Sequence, residues 1–330
     1  MAPERVGDLG EFPLLARLRR RLGSAYLGDD AAVLPPPGDR AVLATVDAQV
    51  DGVHFLRDLM TPEQVGRRAL AVNVSDIAAM GGRPAYALVS LLLPGAVEVA
   101  WLERMYDGLL AEADRWGVVV VGGNISSTPG PLVIDVTVLG DVEPARTLRR
   151  SGARPGDLLL VTGDLGRAAA GLRLLRAGEA AGPLVDAYCT PTPRVREGQA
   201  LAATGRVRAA LDLSDGLGSD VHRLAEESAV GALIDAARLP VSRAVQDAAA
   251  RLGEDPLALA LYGGEDYELL LAAAPADLAV LTDALTAIGT ALTAIGVVRP
   301  AADGVMVRTP DGAERPLAGG WDHFVHREAR

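Results

Sequence analysis

Short, strand-length apolar runs alternate along this chain with longer runs of helical spacing, which restricts it to an α/β or α+β architecture. Residues 40–47 read as a strand. Thr61-Pro62-Glu63-Gln64 then opens a helix, with a Thr cap, Pro at the first helical position and Gln three residues on. That helix runs to Met80, where Gly81-Gly82 stops it. Residues 85–93 form a buried strand closed by Pro94. Between 98 and 116, Leu102, Met105, Tyr106, Leu109, Leu110 and Ala113 fall at helical spacing. Strands over 118–121 and 132–139 complete the first half. The chain turns Gly- and Pro-rich at Ser151-Gly152-Ala153-Arg154-Pro155-Gly156-Asp157, which divides it into domains of residues 1–150 and 151–330. The second half repeats the alternation, with strands at 158–162, 209–213, 231–235 and 268–272. Its helices fall at 168–177, 194–204 and 217–228, and Pro310-Asp311-Gly312 marks a late hairpin.

At 330 residues the chain can build two domains with real cores. It is 49% hydrophobic but only 4% aromatic, so Ala, Leu and Val must fill those cores. A net charge of -11 argues against a nonspecific nucleic-acid surface or an anionic membrane surface as partner. An acidic protein still binds phosphates when cations bridge the two. The single Cys189 excludes an internal disulfide and a Cys-based zinc site, and fits a reducing compartment. No run of about 18 apolar residues occurs, so a soluble, cytoplasmic protein is expected.

Acidic residues gather in short clusters at the edges of the apolar runs. They are Gly28-Asp29-Asp30, Thr45-Val46-Asp47, Ser75-Asp76, Asp212-Leu213-Ser214-Asp215 and Gly263-Gly264-Glu265-Asp266. Carboxylates without Cys or His pairs make an all-oxygen site, which suits magnesium and poorly suits zinc. Magnesium shares its coordination with substrate phosphates, so phosphoryl transfer from a nucleotide is the chemistry to expect. Taken singly, Gly-Asp-Asp is equally an ordinary turn and Ser-Asp an ordinary helix cap. Asp76 says more. Its helical neighbours Val72, Asn73 and Met80 are mostly apolar, so its carboxylate must be hydrogen-bonded, paired or metal-bound. Asp212 to Gly216 ends a strand and opens a helix, and Asp215 falls near the positive helix end, a good place for a phosphate and its cation. Gly122-Gly123-Asn124 follows a strand and lets backbone approach a ligand. His54 beside Phe55 is more often a packed residue than a catalytic one. There is no P-loop, no protein-kinase His-Arg-Asp signature and no Rossmann fingerprint.

Read in order, these segments resemble the thiamine-monophosphate kinase family. The resemblance runs from Gly28-Asp-Asp-Ala-Ala-Val-Leu through Val50-Asp-Gly-Val-His-Phe and Ala69-Leu-Ala-Val-Asn-Val-Ser-Asp-Ile-Ala-Ala-Met-Gly. It continues through Arg150-Ser-Gly-Ala-Arg-Pro-Gly-Asp, Asp212-Leu-Ser-Asp-Gly-Leu and Gly263-Gly-Glu-Asp-Tyr-Glu-Leu to Trp321-Asp-His-Phe. It implies a two-domain fold similar to aminoimidazole ribonucleotide synthetase, dimerising through the strands of the N-terminal domain. It also implies direct, ATP- and magnesium-dependent transfer of the γ-phosphoryl group to thiamine monophosphate. By the same resemblance Asp30, Thr45, Asp47, Asp76, Asp212 and Asp215 look like the shell of several magnesium ions. Gly123, Arg150 and Ser214 look like ATP contacts, and His54, Glu265 and Trp321 like contacts to thiamine phosphate.

Two positions depart from the family pattern. Val46 stands where Thr is usual, and Asn124 where Asp follows the two glycines. Both resemble contributors to the metal shell, Val46 through its carbonyl and Asn124 through a neutral side-chain oxygen that also faces ATP. Another ATP-using synthetase or dikinase of this fold, or a degenerate nucleotide-binding regulatory protein, are the alternatives.

Overall fold

The structure, a computed structural model, describes Asp29, Ala32–Leu34 and residues 38–320. The first half contains β1 (Ala32–Leu34), β2 (Ala41–Val50), helix α1 (Pro62–Ala79), β3 (Arg83–Leu93), α2 (Val99–Trp116), β4 (Val119–Ser127) and β5 (Val133–Val142). Its five strands form one sheet in the order β1-β2-β5-β3-β4. Neighbours run antiparallel except β3 and β4, which are parallel and joined through α2. The second half contains β6 (Leu158–Thr162), α3 (Arg167–Arg176), α4 (Pro183–Cys189), α5 (Val195–Thr204), β7 (Val207–Asp212), α6 (Leu217–Ser228) and β8 (Gly231–Asp235). It goes on with α7 (Arg243–Leu252), α8 (Pro256–Tyr262), β9 (Leu269–Ala273), α9 (Leu278–Thr286), β10 (Leu292–Arg299), β11 (Val305–Arg308) and β12 (Glu314–Pro316). The seven strands β6 to β12 make a second sheet in the order β12-β11-β8-β10-β6-β9-β7. Among the described residues no helix is long and apolar enough to cross a membrane.

The expected start of α1 is realised in full. Gln64 N–H donates to Thr61 Oγ1 at 3.2 Å, Thr61 N–H donates to Gln64 Oε1 at 2.8 Å, and Pro62 takes the first turn. Past that turn α1 is buried on almost every side, with Leu70, Val74, Ile77 and Ala78 all 0% exposed. A helix apolar all round belongs in a core. Here the first sheet and α2 cover part of it, while α4, α5 and β7 of the second half cover the rest. The main apolar cluster accordingly joins Leu43, Ile77 and Val136 to Val185, Tyr188 and Cys189 of α4. Contact between α1 and α2 is close enough to require glycine on both. A Cβ on Gly66 would stand 1.8 Å from the Met105 carbonyl oxygen, and one on Gly108 2.0 Å from that of Glu63.

The inner face of the first sheet carries Ala87, Val89 and Leu91 of β3 and Ile134, Val136 and Val138 of β5, all essentially inaccessible. The opposite face is apolar and open, with Val46 56%, Tyr86 51%, Leu88 41% and Val119 56% exposed. Several elements differ from the sequence reading. Strand β4 extends to Ser127 rather than stopping at 121, and β5 to Val142 rather than 139. Helices α4, α7, α8 and α9 and strand β10 were not anticipated. Their short Ala- and Leu-rich runs satisfy helical and strand periods about equally, so pairing and packing decide them.

Candidate active site

Helix α1 lies between the two sheets and offers a different side chain to each. Thr45 and Asp47 alternate along β2, on the side facing α1. Thr45 Oγ1 donates to Asp76 Oδ2 at 2.6 Å, and Asp47 N–H donates to Asn73 Oδ1 at 2.9 Å. Asn73 is held in turn by its own Nδ2, which donates to the Ala69 carbonyl at 3.0 Å. The helix is therefore unbroken through Asn73, and Asp76 is hydrogen-bonded as its apolar neighbours required. One residue earlier, about 100° round the helix, Ser75 Oγ donates to Asp212 Oδ2 at 2.5 Å. Asp212 closes β7 and is 3% exposed, so this bond joins the two halves in a buried setting. Adjacent residues of one helix thus bring together carboxylates that are 136 positions apart, at Asp76 and Asp212.

Asp212 is followed by a turn that a second segment braces. Glu265 N–H donates to the Ser214 carbonyl at 2.7 Å, Tyr267 N–H to that of Leu213 at 2.9 Å, and Leu213 N–H to that of Glu268 at 2.8 Å. Glu265 and Tyr267 have φ of 75° and 50°, the left-handed region that side chains usually avoid. Such strain persists where surrounding contacts impose it, and it clusters at functional sites. The Glu265 carboxylate pairs with Arg68 of α1 and accepts from the Tyr267 hydroxyl at 3.0 Å. Asp215 pairs with Arg223 of α6, and its N–H donates to Asp220 Oδ2 at 3.1 Å. Burial and the neighbouring Asp215 charge push the Asp220 carboxyl up to about 8, against the pull of Arg223 and Arg150. The Arg150 main chain is fixed at both ends: its N–H donates to Asp29 Oδ1 at 2.9 Å, and its carbonyl accepts from Ser228 Oγ at 2.8 Å. Asp29 also takes Arg149 Nη1 at 2.8 Å.

His54 lies in the β2–α1 connection. Its Nδ1 accepts from Val50 N–H at 3.1 Å, which leaves the proton of a neutral ring on Nε2, and its carbonyl accepts from the Tyr188 hydroxyl at 3.2 Å. Asp30 and Trp321 lie outside the described residues. The register turns the Val46 and Asn124 side chains away from the Asp76 carboxylate. Val46 pairs with Thr137, which pairs with Leu88, and Asn124 pairs with Ser90. Side chains of paired residues share a face, so both point away from α1 on the open side of the sheet, while Gly123 pairs with buried Val89 on the inner side. Asn124 Nδ2 donates to Ser126 Oγ at 3.3 Å on that same open side.

Sequence reasoning missed Arg68 and Gln49, and it named Asp29 and Asn73 without giving either a role of its own. Arg68 left only a weak signal, as the second of two adjacent arginines where the apolar run of the helix begins. Asp266 proves to be a helix cap: it accepts from Gly166 N–H at 2.7 Å and Ala168 N–H at 3.1 Å at the start of α3. A polar cavity of about 290 Å³ lies beside Asp266, lined among others by Arg67, Asp186, Thr190, Arg194 and Glu268. Two of its charges are spent locally, Arg194 on Glu268 and Arg67 on Glu112, and it contains none of the Asp76, Asp212 or His54 side chains.

Two α/β domains in tandem, with acidic residues converging on the helix between them, define an AIR synthase-related protein. Residues 28–142 match AIR synthase related protein, N-terminal domain, and residues 154–308 match AIR synthase related protein, C-terminal domain. Within that class the chain belongs to the thiamine-monophosphate kinase family. It is 39% identical to thiamine-monophosphate kinase of Escherichia coli (strain K12), over 96% of this chain and 98% of that one. The relative of that name from Aquifex aeolicus (strain VF5) is 39% identical over 81% and 86% of the two chains. Among solved structures, AaThiL complexed with AMPPCP and TMP superposes with a TM-score of 0.87 at 36% identity, covering 98% of this chain and 100% of that one.

Proposed function

We propose that this chain transfers the γ-phosphoryl group of ATP directly to the phosphate of thiamine monophosphate, forming thiamine diphosphate. The observation that carries the reading is the pair of bonds from Thr45 to Asp76 and from Ser75 to Asp212, which gather carboxylates of both halves on one helix. The end-to-end identity with named thiamine-monophosphate kinases supports it, as does the likeness to a neighbour complexed with AMPPCP and TMP. A phosphate acceptor is already a nucleophile, so the protein has only to align the groups and balance charge. Cys189 is buried with its thiol pushed up to about 11 by desolvation, and so offers no competing nucleophile near neutral pH.

The donor set fits magnesium. Thr45, Asp47, Asp76, Asp212 and Asp215 offer only oxygen, and among the described residues no three acidic, His or Cys side chains close into a cage. Oxygen donors are what magnesium takes, its remaining positions being filled by water and substrate phosphates. Magnesium, when bound, supplies charge neutralisation for the transferring phosphates. Asp30 would join the same set, and Arg150 would meet a phosphate oxygen, with Gly123 and Ser214 near the nucleotide. His54, Glu265 and Trp321 would line the acceptor pocket. Because Val46 and Asn124 face away from Asp76, their departure from the family pattern leaves these carboxylates intact, which favours an active enzyme over a degenerate one. We place the protein in the cytoplasm and assign the open apolar sheet face to a second copy of this chain. Formation of thiamine diphosphate from thiamine monophosphate, ATP and magnesium tests the reading, and no product at saturating substrate would sink it.

A further inference from the structure

Arg68 is 0% exposed, a costly position for an arginine unless its donors are all used. Nε donates to Gln49 Oε1 of β2 at 3.1 Å, Nη1 to the Tyr188 carbonyl of α4 at 2.6 Å, and Nη2 pairs with Glu265. The guanidinium carbon also stands 4.7 Å from the centre of the Tyr188 ring. Tyr188 in turn donates its hydroxyl to the His54 carbonyl. One side chain therefore reaches the strand before His54, the helix beneath it and the strained segment that carries Glu265. An apolar residue would fill the same core space without a desolvation cost, so packing does not explain an arginine here. Its fixed fork of donors serves three directions at once, which the single ammonium of a lysine does not do. The Glu265 carboxylate keeps this cation charged against burial.

We propose that Arg68 is a positioning residue for the phosphoryl acceptor, holding Glu265 directly and the His54 loop through Tyr188 so that contacts from the two halves meet one substrate; this rests on the acceptor assignment made above. Arg68 itself lies behind those residues. The left-handed backbone at Glu265 and Tyr267 supplies the need, since a strained loop keeps one geometry only while something clamps it. The Arg68 pair and the Tyr267 hydroxyl close on the same carboxylate.

The test is steady-state kinetics on the full chain, varying thiamine monophosphate and ATP separately. Arg68→Lys keeps the charge and loses the fork. It is expected to raise KM for the acceptor about fivefold or more while KM for ATP stays within about twofold. Adding Arg68→Lys to Glu265→Gln should change little further, because the two act through one contact. Equal rises in both KM values, or full additivity of the two substitutions, would overturn the inference. Should Arg68→Lys not fold, Gln49→Leu frees Nε while keeping an apolar filler. It is expected to show the same acceptor-selective change in milder form, and an unchanged acceptor KM there overturns the inference as well. If the unsubstituted protein forms no thiamine diphosphate, the function falls and this inference with it. Normal turnover with an unselective Arg68→Lys removes the inference alone.

Discussion

Asp76 accepts a hydrogen bond from the Thr45 hydroxyl, and Asp212 accepts one from the Ser75 hydroxyl. An ionised carboxylate carries several lone pairs, so it can accept a hydrogen bond and bind a cation at once. Asp76→Asn and Asp212→Asn are therefore expected to lower turnover by at least about a hundredfold in folded protein. Near-normal rates at saturating magnesium would remove both from the metal set. Asp266 is a different kind of carboxylate. Desolvation pushes it up to about 7 from 3.8, despite the two N–H donors at the start of α3. With its folded pKa raised, its contribution to stability is complete below pH 3.8 and is lost as pH rises through about 7. Asp266→Asn cannot ionise, so its melting temperature should fall less than that of the unsubstituted protein between pH 4.5 and about 7.5. Parallel curves for the two proteins would refute a buried titration at this residue. Asp76 and Asp212 were recognisable in the sequence because each ends or interrupts an apolar run. The capping role of Asp266 was not, since it depends on a helix start 100 residues away.

Helix α1 is the element on which the site depends, and two local features set its stability. Its capping box was readable from Thr61 and Gln64 alone, because capping acts between residues three apart. Thr61→Ala is expected to cost about 1 kcal/mol, measured by denaturant unfolding. The crossing with α2 was not readable. A glycine inside a helix looks like a weakness until the other helix is seen pressed against it. Gly66→Ala brings a methyl to 1.8 Å from the Met105 carbonyl oxygen and must push the helices apart. A loss of about 1–3 kcal/mol is expected, larger than that of the cap. An unchanged midpoint for Gly66→Ala would show that the crossing has slack.

At the scale of the molecule, the open face of the first sheet stands out. Val46 of β2, Tyr86 and Leu88 of β3 and Val119 of β4 expose apolar surface on one face of the sheet, an arrangement that marks an interaction surface. Leu88→Glu places a charge near the middle of that face without touching the core. If a second copy covers it, sedimentation of the variant should give a single-chain mass where the unsubstituted protein gives twice that. A dimer that survives Leu88→Glu would place the contact elsewhere.

Alternation of apolar runs, a local property with periods of two and 3.6 residues, was enough to establish two α/β halves, the start of α1 and the late hairpin. The ordered acidic segments were enough to point to phosphate chemistry and to the family. Tertiary structure decided what depends on separation in the chain. It buried α1 between the halves, set Ser75 against Asp212, and enclosed Arg68 among Gln49, Tyr188 and Glu265. It also turned Val46 and Asn124 to the open face, because strand register alone settles which side of a sheet a residue sees. Each of these contacts joins segments far apart in sequence, where no local pattern records which residues will meet.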